Sequence, residues 1–122
     1  MSKKVSIVGA GTWGIAVAGH LESKTLVEVS HYRSIFLKKL DKNRLHPQLP
    51  GFKIPKKISF KNSISHDSDL LIVATPVQHM RKVLSKIDTS INTPTLILSK
   101  GIEQKTLMFP SDIVKDVMGV ED

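Results

Sequence analysis

Three glycines near the amino end have the spacing of a diphosphate-binding turn. Gly9, Gly11 and Gly14 follow the apolar run 5–8 and open a helix-like stretch over 15–21. In such a turn the first glycine lets the chain leave the strand sharply, the second lets a pyrophosphate touch the backbone, and the third lets the helix pack close to the strand. Backbone N–H groups and the positive end of the helix dipole then face the anion. The pattern predicts a site for a nicotinamide or flavin dinucleotide; the alternative is a glycine-rich turn without a ligand.

The end of the second predicted strand bears on which dinucleotide would bind. A site for NAD usually has an acidic residue there, which binds the ribose 2′-hydroxyl. Here the strand ends in Ser-His-Tyr-Arg at 30–33, and Glu28 comes too early and should lie in mid-strand. The permanent charge and five donors of Arg33 suit a 2′-phosphate, and Tyr32 or Arg33 could stack on adenine. The sequence therefore favours NADP over NAD. The alternative is that Arg33 is an exposed charge beside the start of a helix.

Lys100 follows directly after a strand predicted to be buried. That position lies at the carboxyl edge of a parallel sheet, where ligands bind in such folds. A lysine there offers a point charge to a phosphate or to a polarised carbonyl. The alternative is an exposed lysine in a turn with Gly101.

Other catalytic chemistry finds little support in the composition. The chain has no cysteine, which excludes disulfides, thiolate zinc sites and cysteine nucleophiles and suits a reducing cytosol. There is no GxSxG, no P-loop and no convincing carboxylate pair. The chain has five histidines without metal-ligand spacing, namely His20, His31, His46, His66 and His79. Of these, His79 could face the cleft after Pro76, although a solvated helix position is favoured for it.

The net charge of +7 is concentrated in one segment. Half of the 18 Lys and Arg residues lie between Arg33 and Lys61, where Asp41 is the only acid. Such a segment could attract nucleic acid or anionic lipid. Because aromatic residues are not interleaved with the charges, we favour a solvated basic face, or one that steers phosphorylated ligands, and expect no nucleic-acid partner.

The amino-terminal segment also has features of a secretory signal. Lys3 and Lys4, an apolar stretch and an Ala-Val-Ala sequence at 16–18 imitate the signal and its cleavage site. Three glycines and Trp13 interrupt that stretch, however, and the dinucleotide interpretation gives each glycine a role. We therefore expect a cytoplasmic protein, and no other segment is apolar enough to span a bilayer.

Strands and helices are predicted to alternate along the chain. Strands are expected at 5–8, 25–31, 57–60, 70–74 and, again buried, 95–99. Helices are expected at 12–23, at 34–44 with Ser34 as N-cap, from Pro76 in a first turn to 87, and after a cap at Ser111 or Asp112. The irregular loop 45–57 has apolar residues to bury. The alternation predicts an α/β fold, a doubly wound parallel sheet of the Rossmann type with strand order 3-2-1-4-5, in one domain over 1–122.

Several segments together resemble one enzyme family. The chain is similar to the N-terminal cofactor-binding domain of NAD(P)-dependent glycerol-3-phosphate dehydrogenase of the bacterial type. The matching pieces are Gly9-Ala10-Gly11-Thr12-Trp13-Gly14, the stretch 43–55 with Leu49-Pro50-Gly51 and Ile54-Pro55, Ser68-Asp69-Leu70 to Pro76 with Val77-Gln78, Arg81-Lys82-Val83-Leu84, and Ser99-Lys100-Gly101-Ile102-Glu103. They occur in the family's order along nearly the whole chain.

The resemblance implies the reversible reduction of dihydroxyacetone phosphate to sn-glycerol 3-phosphate by NAD(P)H, a product that feeds phospholipid synthesis in bacteria. It places Thr12, Trp13 and Pro76 at the cofactor, Tyr32 and Arg33 at its adenosine end, and Lys100 near nicotinamide and substrate. It also implies a second, helical domain that supplies the catalytic residues, so none is expected here and the chain alone should turn over little. Apolar surface that meets that domain should be exposed, which makes a homodimer plausible.

The chain also departs from the family pattern. Ser30 stands where an aromatic residue is common, Gln48 replaces a usual tyrosine, and Met-Phe-Pro at 108–110 is unusual. These departures bear on substrate fit more than on fold. Because the fold alone does not decide function, two further functions stay open: a related hydroxyacid or ketoacid dehydrogenase, and a dinucleotide-sensing module without catalysis.

Overall fold

Five parallel strands form one sheet in the computed structural model, which describes residues 3–64, 67–87 and 93–119; His66 lies outside them. The strands are β1 (Lys4–Val8), β2 (Leu26–Ser30), β3 (Ser59–Phe60), β4 (Leu70–Val73) and β5 (Thr95–Ile97), and the helices are α1 (Thr12–Leu21), α2 (Ser34–Asn43), α3 (Val77–Leu84) and α4 (Pro110–Met118). The strand order in the sheet is β3-β2-β1-β4-β5, as predicted.

The register of the central strands places the ends of three strands side by side. Val8, the last residue of β1, pairs with Ser30 at the end of β2 and with Val73 at the end of β4. The loops after these strands therefore leave the sheet at the same edge. This is the edge at which doubly wound sheets bind their ligands.

Each face of the sheet has its own apolar core. On one face, Ile15 and Leu40 of α1 and α2 pack with the strand residue Ile7. On the other, Met80 and Ile113 of α3 and α4 pack in the core that contains Val8. All six side chains are essentially inaccessible to solvent. The central strand is apolar on both faces because helices cover both.

Strand β5 corrects the expectation of a buried strand at 95–99. It ends at Ile97, and Leu96 is 48% exposed. The reason is its place in the sheet, since β5 lies at the edge and pairs only with β4 among the described strands. An apolar run alone does not distinguish an edge strand from a central one.

Helix α1 begins at Thr12 as expected, whereas the starts of the other three helices differ from the expectations by one or a few residues. Ser34 is the first residue of α2, and Arg33 before it is the N-cap. Pro76 is the N-cap of α3 rather than part of its first turn, because its ψ of 139° is extended. Helix α4 begins at Pro110, and Asp112 reaches back to accept a hydrogen bond from the N–H of Phe109 at 3.2 Å.

The basic segment divides into solvated and structural cations. Its seven lysines are exposed; they are Lys38, Lys39, Lys42, Lys53, Lys56, Lys57 and Lys61. Arg44 instead donates hydrogen bonds to the carbonyl oxygens of Pro55 (3.1 Å) and Ile58 (2.7 Å), which fastens the far end of the loop after α2 to the C-cap of that helix. Within the described residues, no helix has the length and apolar character needed to cross a membrane.

Candidate dinucleotide-binding site

The glycine turn, residues 9–14, connects β1 to α1 at the carboxyl edge. Gly9 has a φ of +117°, and a Cβ there would lie 2.6 Å from the carbonyl carbon of Ala74. A Cβ on Gly14 would lie 1.9 Å from the carbonyl oxygen of Gly9. A Cβ on Gly11, in contrast, would meet no protein atom within 4 Å. The fold thus requires the outer two glycines, whereas the middle one leaves open space above the backbone.

The first turn of α1 offers donors to that open space. Its leading N–H groups, at Thr12 and Trp13, have no acceptor in the helix, as at every helix start. The indole of Trp13 is 67% exposed. The hydroxyl of Thr12 donates to the side-chain oxygen of Gln48 at 2.8 Å, so the loop after α2 reaches the turn. This contact was missed in the sequence because Gln48 lies 36 residues away in an irregular loop.

The end of β2 borders a cavity of about 420 Å³ between this strand and α3. Tyr32 is partly exposed and stacks on His79 of α3, with ring centroids 4.3 Å apart and planes 13° from parallel. Lys82 and Lys86, on successive turns after His79, also line the cavity. His79 is exposed, as expected from the sequence, and it also lines this cavity.

Arg33 lies on a second, open surface, to which Tyr32 and Lys39 also belong. Its side chain is exposed. Glu28, the acid excluded above as the ribose ligand, is buried in mid-strand and accepts a hydrogen bond from the hydroxyl of Ser6 at 2.8 Å. The first charged residue that follows β2 is therefore a cation, Arg33.

Two histidines contact the backbone of the glycine turn. The N–H of Ala10 donates to Nδ1 of His31 at 2.9 Å, and Nε2 of His46 lies 3.0 Å from the carbonyl oxygen of Ala10. Burial, assisted by the charges of Arg33, His46 and His79, lowers the pKa of His31 to about 4. Among the described residues, no group of three His, Asp or Glu side chains could hold a metal ion.

Lys100 is exposed in the loop after β5, and Gln78 of α3 holds that loop in place. The side-chain amide of Gln78 donates to the carbonyl oxygen of Ile102 at 2.8 Å and accepts from the N–H of Gln104 at 3.0 Å. Gly101 takes a φ of +102° in the turn. Ser99 donates to the carbonyl oxygen of Thr75, which ties the loop to the segment after β4.

Glu103 anchors the same loop through an ion pair with α3. Arg81 forms an ion pair with it (3.1 Å) and a second one with Asp116 of α4. Hydrogen bonds from Arg81 and Thr106 hold the pKa of Glu103 below its usual range, and the same pairing raises the pKa of Arg81. The acid of the Ser-Lys-Gly-Ile-Glu motif is therefore structural, and this role could not be read from its spacing.

The candidate residues follow the row of strand ends. Arg33 follows β2, the glycine turn follows β1, Pro76 follows β4 and Lys100 follows β5. Neighbouring strands lie about 4.8 Å apart, so β2 and β5 are separated by about 14 Å. Arg33 and Lys100 thus lie at opposite ends of the row with the glycine turn between them, an arrangement that suits an extended ligand with a central diphosphate.

A search of protein families gives a match over residues 4–122 to the N-terminus of NAD-dependent glycerol-3-phosphate dehydrogenase. The chain belongs to this family. The resemblance seen in the sequence motifs is thereby confirmed. So is the fold class, a Rossmann-type sheet.

Named relatives agree with this assignment. The glycerol-3-phosphate dehydrogenase [NAD(P)+] of Wolbachia from Brugia malayi is 34% identical over 119 residues, which are 93% of this chain and 36% of that protein. The enzyme of the same name from Ehrlichia canis is 34% identical over 123 residues, covering 94% of this chain and 38% of the relative. The chain therefore spans just over a third of the length of the relatives it matches.

Solved structures share the fold. The crystal structure of glycerol-3-phosphate dehydrogenase from Coxiella burnetii superimposes with a TM-score of 0.78 at 17% identity, covering 97% of this chain and 38% of that one. A probable 2-dehydropantoate 2-reductase from Bacillus subtilis superimposes with a TM-score of 0.64 at 27% identity, over 80% of this chain and 34% of that one.

Proposed function

We propose that this chain binds NAD(P)H along the carboxyl edge of its sheet, as the cofactor-binding part of an enzyme that interconverts dihydroxyacetone phosphate and sn-glycerol 3-phosphate. The observation that carries the proposal is the open space over Gly11, between two glycines that the fold itself requires. A diphosphate there meets the leading N–H groups of α1 and the positive end of its dipole. Family membership over residues 4–122 supports this choice of reaction.

Each candidate side chain has a part in this proposal. Thr12 and Trp13 contact the diphosphate and Pro76 borders the cofactor, while Tyr32 and Arg33 hold the adenosine end. Lys100 faces the nicotinamide end, where its charge attracts the substrate phosphate or polarises the carbonyl. The bound cofactor supplies the hydride. We assign no proton-transfer residue to this chain and propose that a helical domain of the enzyme provides that group.

NADP is the favoured cofactor within this proposal. Tyr32 borders two surfaces that carry cations, with Arg33 and Lys39 on one and Lys82 and Lys86 on the other. The one acid of β2, Glu28, is buried and bonded to Ser6. A 2′-phosphate gains from such surroundings, whereas a 2′-hydroxyl finds no acidic partner at the end of β2.

Trp13 provides the test of cofactor binding, because it is the only tryptophan in the chain. Titration with NADPH and with NADH should change its fluorescence, and calorimetry should give a matching dissociation constant. NADPH should bind at least as tightly as NADH. If neither nucleotide alters the emission and calorimetry detects no heat, the proposed function fails.

A second candidate is a ketoacid reductase of the same fold. The 27% identity to the probable 2-dehydropantoate 2-reductase favours this reaction as the second candidate, after that of the glycerol-3-phosphate dehydrogenases, which are 34% identical. Assays of the longer enzyme with dihydroxyacetone phosphate and with 2-dehydropantoate would separate the two. Faster NADPH oxidation with the phosphorylated substrate supports the first proposal, and faster oxidation with the ketoacid supports the second.

The proposal includes a cytosolic location and self-association. Large apolar side chains are exposed beside the Lys100 loop, namely Ile102, Leu107 and Phe109. Clustered exposed apolar residues are typical of contact surfaces. Sedimentation equilibrium over a range of concentrations should show a mass above that of the monomer, and a constant monomer mass would contradict it.

A further inference from the structure

The peptide groups of Ala10 are held on both sides by imidazole rings. Ala10 is fully buried at the second position of the glycine turn. Its N–H donates to Nδ1 of His31 at 2.9 Å, and its carbonyl oxygen lies 3.0 Å from Nε2 of His46. Buried main-chain groups need partners, and here side chains supply both of them.

The hydrogen bonds define the protonation of the two rings. Nδ1 of His31 accepts from Ala10, so it carries no proton. Nδ1 of His46 accepts from the N–H of Gln48 at 3.1 Å, so the ring proton is on Nε2, which donates to the carbonyl oxygen of Ala10. Both rings are therefore neutral and carry their proton on Nε2.

The surroundings keep His31 neutral. The ring of Phe36 lies between the two imidazoles, with its centroid 5.1 Å from that of His31 and 5.5 Å from that of His46. The titratable and charged groups that act on His31 are Arg33, His46 and His79, and each opposes a positive charge there. Together with burial they lower the pKa of His31 to about 4.

We propose that His31 and His46 form a neutral histidine brace that holds Ala10 in the conformation in which the N–H groups of residues 11–13 face a diphosphate. In this role both are positioning residues, since they act on the ligand through the backbone of Ala10. The brace also connects the turn to two distant segments, the end of β2 and the loop after α2. The ligand part of this inference rests on the proposed function; the backbone part does not.

Protonation of His31 would break the brace. Nδ1 would become a donor facing the N–H donor of Ala10, and that N–H would remain buried without an acceptor. His31→Leu produces the same unpaired N–H at any pH. His31→Asn keeps an acceptor, because the side-chain oxygen of asparagine can take the place of Nδ1, and it cannot be protonated in this range.

The experiment compares these two variants with His20→Leu, which changes an exposed histidine on α1. Amide hydrogen exchange by NMR and the dissociation constant of NADPH are measured on the whole chain at pH 7.5. In His31→Leu, exchange at residues 10–12 should accelerate at least about tenfold and affinity should fall about tenfold. His31→Asn and His20→Leu should stay within about threefold of the unaltered chain in both measurements.

A further measurement on the unaltered chain guards against poor folding of the leucine variant. Nitrogen shifts of the His31 ring should show a proton on Nε2 alone from pH 8 to pH 5. An ordinary titration near pH 6.5 with the Ala10 amide unmoved would overturn the brace. So would a leucine variant that folds and exchanges normally at residues 10–12.

The result also separates the brace from the proposed function. If the unaltered chain binds no dinucleotide, the proposed function fails, yet the exchange rates and ring shifts still decide the brace. If the unaltered chain binds NADPH and folded His31→Leu binds it equally well, the positioning role is wrong while the proposed function stands.

Discussion

Gly11 differs from the other two glycines of the turn in what surrounds it. A methyl group at Gly11 would meet no protein atom, and its φ of −76° is open to alanine. We therefore expect Gly11→Ala to fold with a melting temperature near that of the unaltered chain. NADPH affinity should fall at least about tenfold, because the methyl occupies the space of the diphosphate. Calorimetry and thermal unfolding measure the two effects.

Gly14→Ala is the matched control for that change. Its new Cβ would lie 1.9 Å from the carbonyl oxygen of Gly9, so this variant should lose stability whether or not a ligand is present. Equal affinity in Gly11→Ala and the unaltered chain would show that the diphosphate lies elsewhere.

Arg33 decides the expected preference for NADP. Its exposed guanidinium follows β2 directly, and no acid at that end competes for the ribose. Arg33→Ala should weaken NADPH about tenfold, at the lower end of what hydrogen bonds to charged groups contribute, since solvent screens the site. NADH should change less than about threefold. Lys42→Ala, which removes an exposed cation from α2, should leave both constants unaltered, and equal losses for the two nucleotides would contradict a 2′-phosphate contact.

The sequence alone revealed the residues whose partners lie close to them in the chain. The glycine spacing predicted which positions the turn requires, since strand, turn and helix are contiguous. His31 and His46 were seen only as histidines without metal-ligand spacing. Their partner Ala10 lies 21 and 36 residues away, and only the folded loop after α2 brings His46 to it.

Helix α3 positions the Lys100 loop through Gln78. We expect Gln78→Ala to remove the contacts to Ile102 and Gln104 and to accelerate hydrogen exchange over residues 100–105. Global stability should fall by no more than about 1 kcal/mol, because the groups released are exposed and water replaces the lost bonds. Exchange monitored by mass spectrometry after proteolysis measures the local effect, and chemical denaturation measures the global one.

Gln104→Ala is the control, because Gln78 bonds to the backbone N–H of residue 104 and not to its side chain. This variant should exchange like the unaltered chain. Unchanged exchange in Gln78→Ala would mean that the other contacts of the loop, such as the ion pair of Arg81 with Glu103 and the hydrogen bond of Ser99 to Thr75, are enough to hold it.

Strands and helices were predicted correctly where the spacing of their apolar residues matches their burial in the fold. The strand at 70–74 and the amphipathic helix after Pro76 were recognised because a buried strand and a half-buried helix have distinct patterns. The exposure of β5 was not recognised: the predicted strand order already placed it at the edge, but its apolar run was interpreted as that of a buried strand. How far an edge strand is covered depends on contacts between distant segments.

The free energy of unfolding of the whole chain should depend on pH, because folding changes the pKa of His31. The pKa of this side chain is about 4 when folded and about 6.5 when unfolded, so the unfolded chain binds the proton more readily. The stabilisation is complete above about pH 6.5 and is lost as the pH falls towards 4. Glu103, whose pKa is lowered by Arg81, adds a further loss only below its own ordinary range near 4.5.

Denaturant unfolding at pH 7.5, 5.5 and 4.5 checks this sign. The unaltered chain should lose unfolding free energy between the first two points, and His31→Asn should lose less. Parallel curves for the two proteins would show that His31 titrates alike in the folded and unfolded states.

The hydrogen bonds of Ala10 to His31 and His46 have a consequence for how the chain folds during its synthesis. The glycine turn is among the first residues made, yet its partners at positions 31 and 46 emerge from the ribosome much later, and the strand that flanks it on the other side begins at Leu70. Contacts so distant along the chain form slowly, because each must close a long loop. A nascent chain that carries the entire glycine motif should therefore remain unable to retain a dinucleotide until its loop after α2 and β4 have also been synthesised.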